Sequence, residues 1–449
     1  MKSFFKKVIS NNNFLSLSGN ASAAILGFTS FALLARMLDK TDFGNLMIFI
    51  TLGTFFDLLR TGFLQTPLIK FSAGVDEKER KEVIGTSWLF GILITAGIGL
   101  FSLFTYLLFG HLITNQGFLQ FIKYMFVLSC ATLPFNFAAW ILQCEMKFNK
   151  IVFIRWISLG SFVLMLVLNL YLHKGVDYII YSFIGANLLA SIVCIFMGWS
   201  NLSYLKHATK AKMTTLSNFG KFSMSSMIGS NLLRSSDTFM IGALISPAAV
   251  AIYSIPAKLF EIIEIPLRSF VATALPNLSR LINSKDEQGL KSFFERSAGM
   301  ITFMLIPVVI FCFIFAEEMV VLLGGEQYLE SANLLRIFAV FALLMPLDRY
   351  TGVTLDVLNQ PVRNFQKILL MLVVKIGGNL LVIYLIGEVW AVVVASIFTF
   401  STGVIFGIYF LKKHLDFSVM KLITTGYTEC KMFAMKSFSK LNPGSVGKS

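Results

Sequence analysis

The chain alternates long apolar runs with short polar connectors. About twelve runs stand out, at 14–37, 43–69, 84–109, 119–143, 151–172, 177–199, 219–245, 250–275, 293–316, 332–357, 366–386 and 389–411. Each is near the roughly 20 residues that cross a bilayer as a helix. None has the two-residue alternation of a barrel strand, and backbone inside hydrocarbon must bond to itself, so every run predicts a helix. The expected fold class is an all-α polytopic membrane protein.

Two runs carry more polarity than lipid accepts. The seventh, within GKFSMSSMIGSNLLRSSDTFMIGALIS, is rich in Ser and Asn and holds Arg234 and Asp237 near its middle. The eighth holds Lys258, Glu261, Glu264 and Arg268. A charge at the centre of a lipid-facing helix costs about 2.5–3.5 kcal/mol. Six in one hairpin must therefore line water or pair within protein. Arg234 and Asp237 are three apart, and Glu261, Glu264 and Arg268 follow i, i+3, i+7, so each set shares a helix face. Ion pairs that only lock helices together are one reading; a solvated lumen is the other.

The second half echoes the first at an offset of roughly 207–212 residues. TLPFNFAAWILQCEMKFNKIVFIR aligns with LMPLDRYTGVTLDVLNQPVRNFQK, setting Pro134 on Pro346, Phe153 on Phe365 and Arg155 on Lys367. Asp57 and Arg60 in the second run correspond, within a turn, to Glu264 and Arg268. An even number of helices per half makes the repeats parallel. The chain thus reads as two pseudo-symmetric six-helix bundles around a central lumen, 1–200 and 219–411, with a cytoplasmic linker at 201–218 and a basic cytoplasmic tail at 412–449. Asp348, Arg349 and Lys375 extend the polar set. Pro134, Pro256, Pro266, Pro307 and Pro346 mark positions of static curvature or hinges.

Composition agrees. Hydrophobic residues make up 56%, charged residues 14%, and mean hydropathy is +0.75. The net charge of +14 does not point to nucleic acid, because Lys and Arg cluster in alternate loops. Lys78, Arg80, Lys147, Lys150, Lys206, Lys210 and Arg280 mark one side, while the loop after the ninth run is acidic. That pattern places both termini and the even-numbered loops in the cytoplasm. Lys2, Lys6 and Lys7 precede a run too long for a cleavable leader. Trp88, Trp156, Trp199 and Trp390 fall near run ends and read as interfacial anchors. The tail, with VMKLITTGYTECKMFAMKSF at its centre, reads as a loosely ordered segment on the membrane surface. Five scattered Cys, without C-x-x-C spacing, suggest neither a disulfide framework nor a metal site.

With ARMLDKTDFGNLMI, DTFMIGALISPAAVAIYSIPAKL, TLDVLNQPVRN and the polar helices one, two, seven and eight in view, the chain resembles the O-antigen-type polysaccharide flippases. These belong to the multidrug/oligosaccharidyl-lipid/polysaccharide exporter superfamily, and the resemblance runs to about Leu411. It implies two six-helix lobes in an inverted V around a cationic lumen. It implies an undecaprenyl-diphosphate-linked oligosaccharide, carried from the cytoplasmic to the outer leaflet of a bacterial inner membrane by alternating access. Arg60, Arg234, Arg268 and Lys375 are the candidate pyrophosphate contacts. Asp57, Asp237, Glu261, Glu264 and Asp348, with Arg349 beside them, would balance charge, bond sugar hydroxyls or carry a coupling proton. No cofactor is implied; proton or sodium coupling stays open. Polysaccharide polymerase and chain-length proteins are the implied neighbours.

Three rivals remain. A cation exporter of the same superfamily should show an acidic excess in its lumen, and here the signs nearly balance. The flippase for the peptidoglycan lipid precursor often has two more helices. A membrane glycan polymerase needs a large outer loop, and 317–331 is short. No Ser–His–Asp set or H-E-x-x-H motif is present, so the chain reads as a transporter rather than an enzyme.

Overall fold

Helix dominates the computed structural model, which describes residues 12–441. In chain order the helices are α1 (Asn12–Met37), α2 (Lys40–Ser72), α3 (Glu77–Phe109), α4 (Gln116–Cys144), α5 (Phe148–Leu172), α6 (Val176–Phe196), α7 (Lys210–Leu244) and α8 (Pro247–Asn283). There follow α9 (Glu287–Ile314), α10 (Ala316–Gly324), α11 (Ser331–Ala342), α12 (Met345–Val357), α13 (Pro361–Leu385), α14 (Val389–Lys412) and α15 (Val419–Leu441). No strand occurs among the described residues. Lys2, Lys6, Lys7 and Lys448 lie outside them.

Among the described residues eight helices, α2 to α6, α9, α13 and α14, are long and apolar enough to cross a membrane. α11 and α12 pass the same test only as a pair, bent by 40° at the break between them. Pro346 opens α12, and its missing N–H and fixed φ favour a helix start over continuation. α7 and α8 fall outside that apolar set because of the polar residues noted above. With α1, the helices match the twelve expected runs, and among the described residues α15 is a further long helix beyond them. Local chemistry sets the starts: Asp39, Asp76, Asn115, Thr209 and Asp286 each accept a backbone N–H from the first turn of the following helix. α8 stays helical through Pro256, Pro266 and Pro276.

Packing divides the chain into two compact units, Met1–Ala251 and Ile252–Ser449. The division falls beyond α7, not in the 201–218 linker. α7 belongs to the first unit because glycines let it lie close along α2. A Cβ on Gly220 would stand 2.6 Å from the Phe63 carbonyl oxygen, and one on Gly62 3.1 Å from the Met224 Cα. Phe71 against Phe219 and Phe55 against Phe239 continue the seam. At its far end, the Asn115 side chain donates to the Gly242 carbonyl at 2.8 Å. The linker itself is a short helical turn over Leu202–His207, and α7 begins soon after it.

Three further expectations are corrected. Trp88 is no interfacial anchor: it is 2% exposed, stacks on Phe137 at 4.1 Å and donates its indole N–H to the Ser200 carbonyl. Buried indole requires such an acceptor, and the turn after α6 supplies it. The acidic loop after α9 contains a helix, α10, with Glu317 and Glu318 in its first turn, where they favour the helix dipole. The tail is not loosely ordered up to residue 441. α15 packs along α9, where Gly299 meets Gly426 so closely that a Cβ on Gly426 would lie 2.5 Å from the Gly299 backbone. The buried Glu295 carboxylate accepts the Ser418 N–H at 3.1 Å, and Arg296 pairs with Glu429 at 2.8 Å.

Candidate functional site

In the first unit the polar centre is built on α2. Asp57 and Arg60 are one helical turn apart and form an ion pair. Arg60 is 1% exposed, and its guanidinium is bonded on several sides. One terminal nitrogen donates to the Ser129 carbonyl at 2.8 Å and to Thr95 Oγ1 at 3.2 Å; the other reaches Thr132 Oγ1 at 2.7 Å as well as Asp57. Asn136 donates to Asp57 Oδ2 at 3.1 Å. α2, α3 and α4 are therefore tied through one cation. Removing a guanidinium from water is expensive, and this one is compensated by three further oxygens beyond its carboxylate. Asp57 itself is partly accessible. On α7, Arg234 is exposed and Asp237 buried.

In the second unit the corresponding centre is on α8. Lys258 donates to Glu261 at 2.7 Å. Glu264 pairs with Arg268 one turn on, and Arg349 of α12 approaches the same carboxylate at 4.0 Å. The Arg268 side chain is 53% exposed and that of Arg349 49%, whereas Glu264 is mostly covered. A half-exposed guanidinium favours water or an anion around it over hydrocarbon. The cluster presents two cations around one mostly covered carboxylate, a local excess of positive charge suited to an anionic group.

Asp348 lies elsewhere. It is buried and accepts from Lys367 at 2.8 Å, while the Lys367 ammonium also donates to the Asp348 carbonyl at 2.7 Å. The room comes from α14, where a Cβ on Gly403 would stand 2.6 Å from the Asp348 carboxylate. Asp348 is thus part of an enclosed pair and is separated in role from Arg349 next to it. Lys367, which the repeat sets on Arg155, turns inward in the structure. Lys375 and Asn379 are both buried on α13. The sequence pattern also leaves Thr95, Thr132 and Asn136 unremarked. Their only signal is polarity at matching depth in neighbouring apolar helices.

The profile of the polysaccharide biosynthesis protein family matches residues 33–333. That stretch is well over half of the chain and includes both α2 and α8. The chain belongs to the polysaccharide biosynthesis protein family. Among curated proteins it is similar to a probable low-salt glycan biosynthesis flippase, Agl15, of Haloferax volcanii, with 24% identity over 273 residues, 60% of this chain. The match spans 55% of that relative's length. Among solved structures the fold is similar to the lipid II flippase MurJ in an inward closed conformation, with a TM-score of 0.73 and 13% identity, covering 95% of this chain and 93% of that one. It is also similar to an inward-facing multidrug resistance MATE family transporter of the MOP superfamily, with a TM-score of 0.69, 13% identity and coverage of 94% and 96%. The resemblance drawn from the sequence holds at the level of family, and the all-helical multi-pass fold is that of these transporters.

Proposed function

We propose that this protein is a flippase for a lipid-linked oligosaccharide used in surface polysaccharide synthesis. The cargo is an undecaprenyl-diphosphate-linked repeat unit, moved from the cytoplasmic to the outer leaflet of a bacterial inner membrane by alternating access. Family membership supports the glycan pathway, and the curated relative is named as a probable flippase. The observation that carries the cargo's chemistry is the α8 cluster, with Arg268 and Arg349 half exposed around Glu264. The sugar headgroup cannot cross hydrocarbon without water or hydrogen-bonding partners, and the lipid tail has no need to leave the bilayer. The diphosphate matches paired guanidinium groups. Transport of this kind makes and breaks no covalent bond in the cargo, so the protein acts as a transporter and not an enzyme. The termini belong on the cytoplasmic side by the distribution of Lys and Arg.

Deletion of the gene in its host tests the proposal. The undecaprenyl-linked unit should accumulate on the cytoplasmic leaflet and surface glycan should disappear. Wild type should rescue both and Arg268→Ala neither. Normal glycan with altered resistance to cationic compounds would instead make the protein a drug exporter. A translocated but unpolymerised unit would make it a polymerase.

A further inference from the structure

α15 has three distinct faces. Leu422, Gly426 and Glu429, spaced i, i+4, i+7, form the face seated on α9. Met420, Ile423 and Tyr427, spaced i, i+3, i+7, form a second face that is apolar and exposed. Lys421, Thr424, Thr428 and Lys431 form a third, polar and exposed. The Thr424 hydroxyl donates to the Met420 carbonyl at 3.1 Å and that of Thr428 to the Thr424 carbonyl at 2.9 Å. The third face therefore offers chiefly its two ammonium groups.

The seat on α9 fixes the level of these faces. Contacts run from Phe294, whose ring lies 4.9 Å from that of Phe417, to Phe303, whose ring lies 5.9 Å from that of Tyr427. Over that stretch α9 passes from charged first turns, with Glu287, Lys291, Glu295 and Arg296, into its apolar run. A helix docked there stands where headgroups give way to hydrocarbon. The segment joining α14 to α15 is anchored as well, since Leu415 and Phe417 are buried. More cations gather beside it. Lys413 lies 4.4 Å from the centre of the Tyr409 ring, Arg363 lies 5.5 Å from that of Phe410, and Lys412 is exposed. Among the described residues no carboxylate pairs with Lys412, Lys413, Lys421 or Lys431. The acids of this stretch are Asp416, which is exposed, and Glu429, which Arg296 neutralises.

We propose that this end of the second unit is a binding surface for anionic phospholipid. Met420, Ile423 and Tyr427 enter the acyl layer, and Lys412, Lys413, Lys421 and Lys431 meet the headgroup phosphates. Charge selects the occupant. An apolar flank alone would accept any lipid, whereas ammonium groups without carboxylate partners beside it favour a negative headgroup. Bound lipid holds α15 against α9 and so stabilises the folded second unit. The proposal concerns the membrane around the protein and is independent of the cargo that crosses it.

Titration of the full-length protein in detergent with phosphatidylglycerol, and in parallel with phosphatidylcholine of the same chains, tests it. Retained lipid is counted by native mass spectrometry. Phosphatidylglycerol should be retained at a lower concentration than phosphatidylcholine and should raise the melting temperature. Lys412→Gln, Lys413→Gln and Lys421→Gln together should raise its half-saturating concentration about fivefold per lysine, on the order of 100-fold in all. Lys78→Gln, Lys206→Gln and Lys210→Gln together, in the first unit, should leave the preference in place. Met420→Ser with Ile423→Ser should weaken retention of both lipids alike, a second readout if the lysine variant folds poorly. Equal retention of the two lipids by wild type would overturn the proposal, as would unchanged retention in the folded lysine variant. An equal loss in the first-unit variant would overturn it in favour of the general charge of the lysine-rich side. A dimer in place of bound lipid would overturn it in favour of a second copy on the apolar flank. Glycerol phosphate bound as tightly as the lipid would overturn the acyl contacts.

Discussion

Asp57–Arg60 on α2 and Glu264–Arg268 on α8 occupy related places in the repeat, and each is an acid–base pair one helical turn apart. Their surroundings are opposite. Arg60 is enclosed by Thr95, Ser129 and Thr132 and is 1% exposed. Arg268 is bonded to its carboxylate and otherwise largely open. One motif therefore serves two ends. In the first unit the cation is the hub that joins three helices, and the carboxylate is the accessible partner. In the second the carboxylate is covered and the cation is presented. The intramembrane charges raised by the sequence are thus enclosed on α2 and half exposed on α8.

Substitutions can break this contrast, beginning with the largest effects. Lys367→Ala should destabilise most, by about 4 kcal/mol, because it leaves Asp348 as an uncompensated charge in a closed site. Its melting temperature in detergent should fall sharply, and Lys367→Met with Asp348→Leu should recover much of the loss. Arg60→Ala should cost about 3 kcal/mol, less because Asp57 retains access to solvent. The measurement is again thermal melting, and a change within 0.5 kcal/mol, about that of an ordinary surface site, would contradict the hub. Arg268→Ala should leave melting within about 0.5 kcal/mol of wild type. Its transport should nevertheless fall about 10–100-fold, as for loss of one charged hydrogen bond to cargo. A variant that unfolds instead would make Arg268 structural, like Arg60.

The smallest expected effect lies at the turn after α4. Burial pushes the Glu145 carboxyl up, but hydrogen bonds and charge from Lys147 and Arg80 outweigh this and hold it below the ordinary glutamate range. A lowered folded-state value means stabilisation is present above the unfolded value, about 4.3, and is lost as pH falls through the lower folded one. Melting followed against pH should show a shallow acid-side loss, reduced in Glu145→Gln.

The pairs on α2 and α8 were legible in the sequence because turn spacing alone brings i, i+3 and i, i+4 side chains together. Which member of each pair is exposed was not legible, since that depends on oxygens from α3 and α4 or their absence. Lys367 shows the same limit: a basic residue near a span end has the same pattern whether it meets headgroups or folds back to a carboxylate. Trp88 repeats the lesson for aromatic residues. The long helices followed directly from the apolar runs. The association of α7 with α2 did not, because Gly62 and Gly220 become informative only when the facing backbone is known. The docking of α15 at Gly299 is of the same kind, a close approach between two small residues far apart in the chain.

The most direct test of the central claim is translocation of labelled undecaprenyl-diphosphate oligosaccharide in proteoliposomes, comparing wild type with folded Arg268→Ala. The account predicts movement by wild type well above that in protein-free vesicles and a loss of about 10–100-fold in the variant. Wild type no faster than empty vesicles, or a variant as fast as wild type, would contradict it.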